Sequence, residues 1–390
     1  MFFLVIFVDA VLTISIFLRH LSYLLIVEKM VVVHVARIDL NYESGMSRVA
    51  SWWRNSFLKD GHEFYHIGLS EVNSSTHRFF WGYSARKYLN QLNIKCDILL
   101  VHEPLAGFFV GGDYKLVVFS HGVEERGWLV AGKYGYRTNS KLSTLLPGKL
   151  KFYSNNLGFK KADKVLVLNQ EDSQYLINNK KIDPSKVSVY QNGYYPFKIV
   201  NKDRTRITFL YNATWIVRKG TPLMYNVFNR LLNEFSDISL LIAGTGLSKD
   251  EILKGFDKNV WSRIDFVKKF SYEKESELYS NAHVFLMPSY FEGQSLALTQ
   301  AMAMGLVPIA SDNSGQKDFI IPYTNGLLFQ TGNAQDFENK IRYLLEHKSK
   351  LTDFGTKARD FVSELTWEKV SMMIVDICKS IVMNSNHVKI

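Results

Sequence analysis

Glu292 sits in a polar loop, Ser289 to Gly293, between an apolar run (His283–Met287) and a stretch of small and apolar residues at helical spacing (Gln294–Met304). As an acceptor-only carboxylate it is suited to gripping sugar hydroxyls. Directly after it, Gly293, Gln294 and Ser295 place backbone N–H groups at a helix start, where unpaired donors and the helix dipole favour phosphate or sugar oxygens. Gln300, eight residues beyond Glu292, offers a neutral donor and acceptor. Arg218 and Lys219 are adjacent cations at another helix start. Cations there oppose the helix dipole, which argues for an anionic ligand rather than a solvated pair. His121, in Ser120-His121-Gly122, closes an apolar run and is either a satisfied structural histidine or a group that meets ligand at a sheet edge.

Positioning these groups requires buried strands. His283–Met287 and Val307–Ala310 enclose a helix closed by Gly305, which gives a βαβ unit of a parallel sheet with ligand groups at the strand's C-terminal edge. Further apolar runs predict strands at Val31–Ala36, Asp97–Val101, Lys115–Phe119, Val165–Leu168 and Val187–Tyr190. A second set follows at Ile207–Leu210, Ile238–Ala243 and Arg263–Val267, and Asn325–Phe329 with the helix from Ala334 completes that sheet's cover. Helices are expected at Arg48–Lys59 (with Trp52 and Trp53 facing the core), near Arg78–Leu92, from Glu171 and from Ala334. His62 and His66 have the spacing of a helical metal pair, but the segment reads as a strand after Gly61, which argues against a metal site. Trp128–Leu150 is rich in Gly, Tyr and Lys and reads as an acceptor-facing connection. Pro196–Arg206 is polar and reads as a linker. The chain thus divides into an apolar extension (1–29), a first domain (30–196), a second domain (197–365) and an amphipathic C-terminal helix (366–390).

Composition sets the bounds. A chain of 390 residues accommodates two domains, and 47% hydrophobic with 14% aromatic residues excludes a disordered protein. The formal net charge of +10 suits anionic partners. A nucleic-acid role would rest on that charge alone, since no basic-aromatic module is present, and none is expected. Two cysteines, Cys96 and Cys378, give no disulfide framework and no zinc site, which fits a reducing compartment. The apolar start, interrupted by Asp9, Arg19 and His20, is either a membrane anchor or an over-long beginning ahead of Met30. The expected location is the cytoplasm or the cytoplasmic face of a membrane.

The stretch from Pro288 to Pro308 resembles the donor-site signature of glycosyltransferase family 4, the group 1 transferases: P-S-x-x-E-G-x-x-L-x-x-x-E-A-M-A-x-G-x-P. Pro288, Ser289, Glu292, Gly293, Leu296, Ala301, Met302, Ala303, Gly305 and Pro308 match, and Gln300 stands where the family has its second acid. Lys219-Gly220 aligns with the family's K-G, with Arg218 beside it in place of an arginine that the family carries earlier. The resemblance is patchy from Val31 to Arg206, strong from Ile207 to Leu345 and absent before Met30.

It implies an α/β protein of GT-B architecture: two Rossmann-like domains whose parallel sheets face a central cleft. It also implies a retaining, metal-independent hexosyl transfer, without cofactor, from a UDP- or GDP-sugar to a saccharide or lipid-linked acceptor, with peripheral or anchored membrane contact. By the same resemblance Lys219 and Arg218 hold the diphosphate, while Glu292 and the amides of Gly293, Gln294 and Ser295 hold the sugar. His121 meets the sugar's far side, Gly45 approaches the diphosphate or acceptor, Val267 flanks the base and Gln300 meets the ribose. His121, Glu292 and Lys219 are the expected catalytic groups. The rival expectation is a catalytically weakened protein of the same fold that binds glycan or scaffolds a transferase complex.

Overall fold

In a computed structural model, which describes residues 29–72, 80–136, 147–198 and 206–386, the apolar runs form two parallel sheets. The first contains β1 (Val31–Val35), β2 (Glu63–Ile67), β3 (Ile98–His102), β4 (Lys115–Phe119), β5 (Lys164–Val167) and β6 (Val187–Val189), in the order β2-β1-β3-β4-β5-β6. The second contains β7 (Ile207–Asn212), β8 (Ile238–Ala243), β9 (Ile264–Val267), β10 (Val284–Met287), β11 (Val307–Ser311) and β12 (Leu327–Phe329), in the order β12-β11-β10-β7-β8-β9. β3, β8, β10 and β11 are buried along their whole length. Helices cover both faces, which explains why these strands are continuous in apolar residues rather than alternating.

The strand orders decide where a ligand can sit. In the first sheet the chain runs from β1 to β2 on one side and then returns to β3 on the other; in the second it leaves β7 for β8 and β9, then returns to β10. Each reversal opens a crevice at the strands' carboxyl ends, the place where such sheets bind ligands. Lys219 follows β7 and Glu292 follows β10, so both flank the reversal point of the second sheet.

Several local expectations need correction. The helix after Glu292 spans Leu296–Ala303 and not Gln294–Met304, because Ser295 is its N-cap and accepts from Leu298 N. The first helix begins at Gly45 and not at Arg48, so Gly45 lies in its first turn. Glu124–Lys133 and Pro147–Lys161 are helices where an irregular connection was expected; residues 137–146 between them lie outside the described residues. So does the apolar start, residues 1–28. Among the described residues no helix is long and apolar enough to cross a membrane.

The last helix, Trp367–Asn386, crosses to the first sheet. Trp367, Val370, Ile374 and Cys378 join Trp53, Phe57, Leu100 and Phe119 in one buried cluster. Trp52 lies nearly parallel to Trp367 (ring centroids 6.0 Å apart, 6° between planes). The two crossings between domains run side by side: Tyr194 N donates to Leu365 O, and Trp367 N donates back to Tyr194 O.

Candidate functional site

Beyond β7 the chain makes a short turn, Val217–Lys219, and enters the helix Thr221–Glu234 through Gly220, which is in the left-handed conformation (φ 81°). This turn lies against the loop after β10, with Tyr290 N donating to Arg218 O at 2.8 Å. Lys219 Nζ donates to Glu292 Oε1 at 2.5 Å; Arg218 lies 3.8 Å from Glu292 Oε2 and also donates to Phe291 O at 2.9 Å. Glu292 is buried. Burial alone pushes its carboxyl up, but Lys219, Arg218 and a hydrogen bond from Ser289 outweigh it and hold the group below the usual carboxylate range. The site is therefore a buried carboxylate clamped by cations that an incoming anion could recruit.

The first domain closes over this loop. A Cβ on Gly293 would stand 2.1 Å from His121 O and 2.9 Å from Gly122 N, so the two backbones meet with no room for a side chain. Asn169 Nδ2 donates to Gly293 O across the same junction at 3.0 Å. Gln294 turns away from the loop: its Oε1 accepts from Asn192 N (2.6 Å) and its Nε2 donates to Asn192 O (3.0 Å). Gln300 does the same to Tyr195, accepting from its N at 3.0 Å and donating to its O at 2.8 Å. Both glutamines thus grip the segment that leads out of the first domain. A glutamate at position 300 could make only the first of these bonds, since it has no proton to donate. A ribose would have to compete with Tyr195 for this amide.

Of the other expected residues, Gly45 abuts Leu296 across the cleft, where an added Cβ would make ordinary contact at 3.7 Å. Val267 ends β9 and its carbonyl accepts from Gly244 N. His121 is half-buried after β4, its Nε2 lying 3.3 Å from His102 Nδ1. Burial lowers its imidazolium to about 3, so the ring is neutral at physiological pH. His62 Nε2 lies 3.0 Å from Asp60 Oδ2 and its Nδ1 accepts from Met30 N rather than pairing with His66, and among the described residues no cluster of three or more His, Cys, Asp or Glu side chains could hold a metal ion.

Sequence reasoning gave no interdomain role to Arg48 or Arg126. Arg48 reaches Glu275 at 2.7 Å, with both side chains buried, and lies 4.7 Å over the Tyr272 ring. Arg126 bonds Glu171 and Asp172, each at 2.5 Å, and reaches Ser314 of the second domain at 3.4 Å. Beside them is an interdomain cavity of about 300 Å³ whose lining includes Arg126, Lys133, Tyr134, Tyr290, Asn313 and Lys317. The charged residues of both sets are visible in sequence, but nothing in their local pattern announces partners 45 (Arg126–Glu171) to 227 (Arg48–Glu275) residues away.

Residues 196–361 match the family described as Glycosyl transferases group 1. A glycogen synthase of Desulfitobacterium hafniense is 27% identical over 179 residues, a match that covers 44% of this chain and 38% of that enzyme. The chain thus spans well under half the length of this relative. A sucrose-phosphate synthase of Thermosynechococcus elongatus superposes with a TM-score of 0.75 at 16% identity, over 91% of this chain and 100% of that one. HepE of Anabaena, solved with UDP and glucose, superposes with a TM-score of 0.65 at 12% identity, over 90% of this chain and 100% of that one. The shared architecture is the GT-B fold expected from the sequence.

Proposed function

We infer that this chain, whose residues 196–361 belong to the group 1 glycosyl transferases, moves a hexose with retention from a UDP- or GDP-sugar to a hydroxyl of a saccharide or lipid-linked acceptor, as a family 4 enzyme. The observation that carries the reading is the convergence of Lys219 and Arg218 on buried Glu292 at the reversal point of the second sheet, under His121 and Gly122. Structural neighbours that hold UDP and glucose, or ADP and acarbose, support a nucleotide-sugar donor.

The chemistry follows from charge. As the bond from sugar to diphosphate breaks, negative charge grows on the leaving phosphate, and fixed cations in a water-poor site stabilise it. Lys219 exchanges Glu292 for phosphate, with Arg218 as the second cation. Glu292, so released, is free to accept hydrogen bonds from the sugar's hydroxyls, and the loop amides complete its cradle. The departing phosphate oxygen takes the proton of the attacking hydroxyl, so no side-chain base is required and no metal is called for.

One observation favours the rival reading of a binding protein with weakened catalysis: both amide atoms of Gln300 are taken by Tyr195. Thermal unfolding with UDP, GDP, ADP and their sugars decides between the two. A ligand at a hundred times its dissociation constant adds roughly 2.7 kcal/mol. One nucleotide should raise the midpoint of the wild type and do so much less for Lys219→Ala. A midpoint unmoved by every nucleotide would remove the donor site and leave the binding-only reading.

A further inference from the structure

Histidines stand in a row across the first sheet in the spatial order of its strands: His66 on β2, His34 on β1, His102 on β3 and His121 after β4. They meet nitrogen to nitrogen. His66 Nδ1 lies 2.9 Å from His34 Nδ1, His34 Nε2 lies 3.0 Å from His102 Nε2, and His102 Nδ1 lies 3.3 Å from His121 Nε2. The first two rings have centroids 4.9 Å apart and 21° between their planes. At the far end His66 Nε2 is 2.9 Å from Ile38 O.

That carbonyl fixes every proton in the row. It can only accept, so His66 Nε2 carries the hydrogen and His66 Nδ1 is an acceptor. His34 must then donate from Nδ1 and accept at Nε2, His102 must donate from Nε2 and accept at Nδ1, and His121 must donate from Nε2. His121 Nδ1, on a half-buried side chain, is left with a lone pair and has no hydrogen-bond partner among the described residues. An extra proton can be added at that atom without breaking a bond in the row.

The surroundings support the arrangement. Trp53 stands nearly perpendicular to His34 and His102, and Phe119 packs on His102 and His121, so the N–H···N bonds run beside apolar rings that strengthen them. Burial, followed by the neighbouring rings, holds His34 and His102 far below the usual imidazole range, and burial also lowers His66. The anchor is built tightly: a Cβ on Gly68 would lie 2.3 Å from Ile38 O and 2.4 Å from His66 Nε2, so only glycine leaves room for that bond.

We propose that His66, His34 and His102 are positioning residues that hold His121 in its Nε2–H tautomer, so that Nδ1 meets the ligand as a hydrogen-bond acceptor. The tautomer assignment stands on the bonds alone; that the ligand supplies a sugar hydroxyl rests on the reading given under the proposed function. The consequence is selective. A group that must donate to the ligand cannot be His121, and a hydroxyl that donates to it finds a fixed lone pair instead of a ring free to exchange tautomers.

Nitrogen-15 imidazole NMR of the full chain reads the tautomers directly, with signals assigned by single histidine variants. The expected pattern is His34 protonated on Nδ1 and the other three rings on Nε2. His34 on Nε2, or His121 as a tautomer mixture, would overturn the proposal. His66→Phe keeps the ring volume but removes the anchor; it should leave His121 mixed and lower kcat roughly threefold to tenfold, the loss of one hydrogen bond, with KM unchanged. His66→Gln, whose amide can accept from His34 and donate to Ile38, should restore both. A His66→Phe chain with the wild-type tautomers and kcat would also overturn it. Should the wild type turn over no nucleotide sugar, the transfer reading falls, while the tautomer pattern still decides this one.

Discussion

At the scale of single residues, the ion pair between Lys219 and Glu292 links stability to pH with a definite sign. Glu292 has a folded-state pKa below its ordinary 4.5, so its pairing adds stability above that ordinary value and loses it as the pH falls through the depressed one. Glu292→Gln should therefore melt earlier than the wild type at neutral pH, by about 1.5–3 kcal/mol for a charge-assisted hydrogen bond. The gap in melting temperature should close only below roughly pH 4.5. A gap that persists unchanged into acid would mean that the carboxylate is not what Lys219 recognises. Glu292 and Lys219 were legible in the sequence because their chemistry and their place after buried strands coincide. The roles of Gln294 and Gln300 were not, since a motif reports which residue stands at a position and not which way its side chain turns. Gln300 fits the signature by register, yet it holds the backbone of Tyr195.

At the scale of elements, continuous apolar runs made the strands readable, and β1, β4, β8 and β10 lie within a residue of their expected limits. Helices without a clear apolar stripe were not readable. Glu124–Lys133 has no buried residue, so its sequence carries no face to detect. The contact of backbones at Gly293 is likewise invisible until the domains are placed together. Gly293→Ala would press a methyl group into His121 O and Gly122 N, which are both backbone atoms and cannot rotate aside. Overpacking of this kind costs about 1–3 kcal/mol. The variant should melt lower than the wild type and show a smaller midpoint rise with nucleotide, whereas Gly45→Ala, which meets only Leu296 at 3.7 Å, should preserve that rise. Equal nucleotide responses from the two would show that the junction of loop and first domain is dispensable for donor binding.

At the scale of the whole molecule, the domains are held by a few charged contacts across the cleft. Arg48 and Glu275 are the most enclosed of these, with side chains 10% and 5% exposed. Removing one partner of a buried pair strands the other charge, at roughly 3–5 kcal/mol. Arg48→Ala should lower the melting temperature accordingly and enlarge the radius of gyration by X-ray scattering as the domains part; an unchanged radius would place the hinge restraint elsewhere. The crossing helix has a different kind of consequence, one of timing. Ser56 and Ser371 touch at 2.7 Å although 315 residues separate them. At about 5–20 residues per second of synthesis, the segment that covers Trp53, Phe57 and Leu100 is made on the order of tens of seconds after they are. For that interval an apolar face of the first sheet stays open to solvent, so the first domain emerges from the ribosome early but becomes complete late.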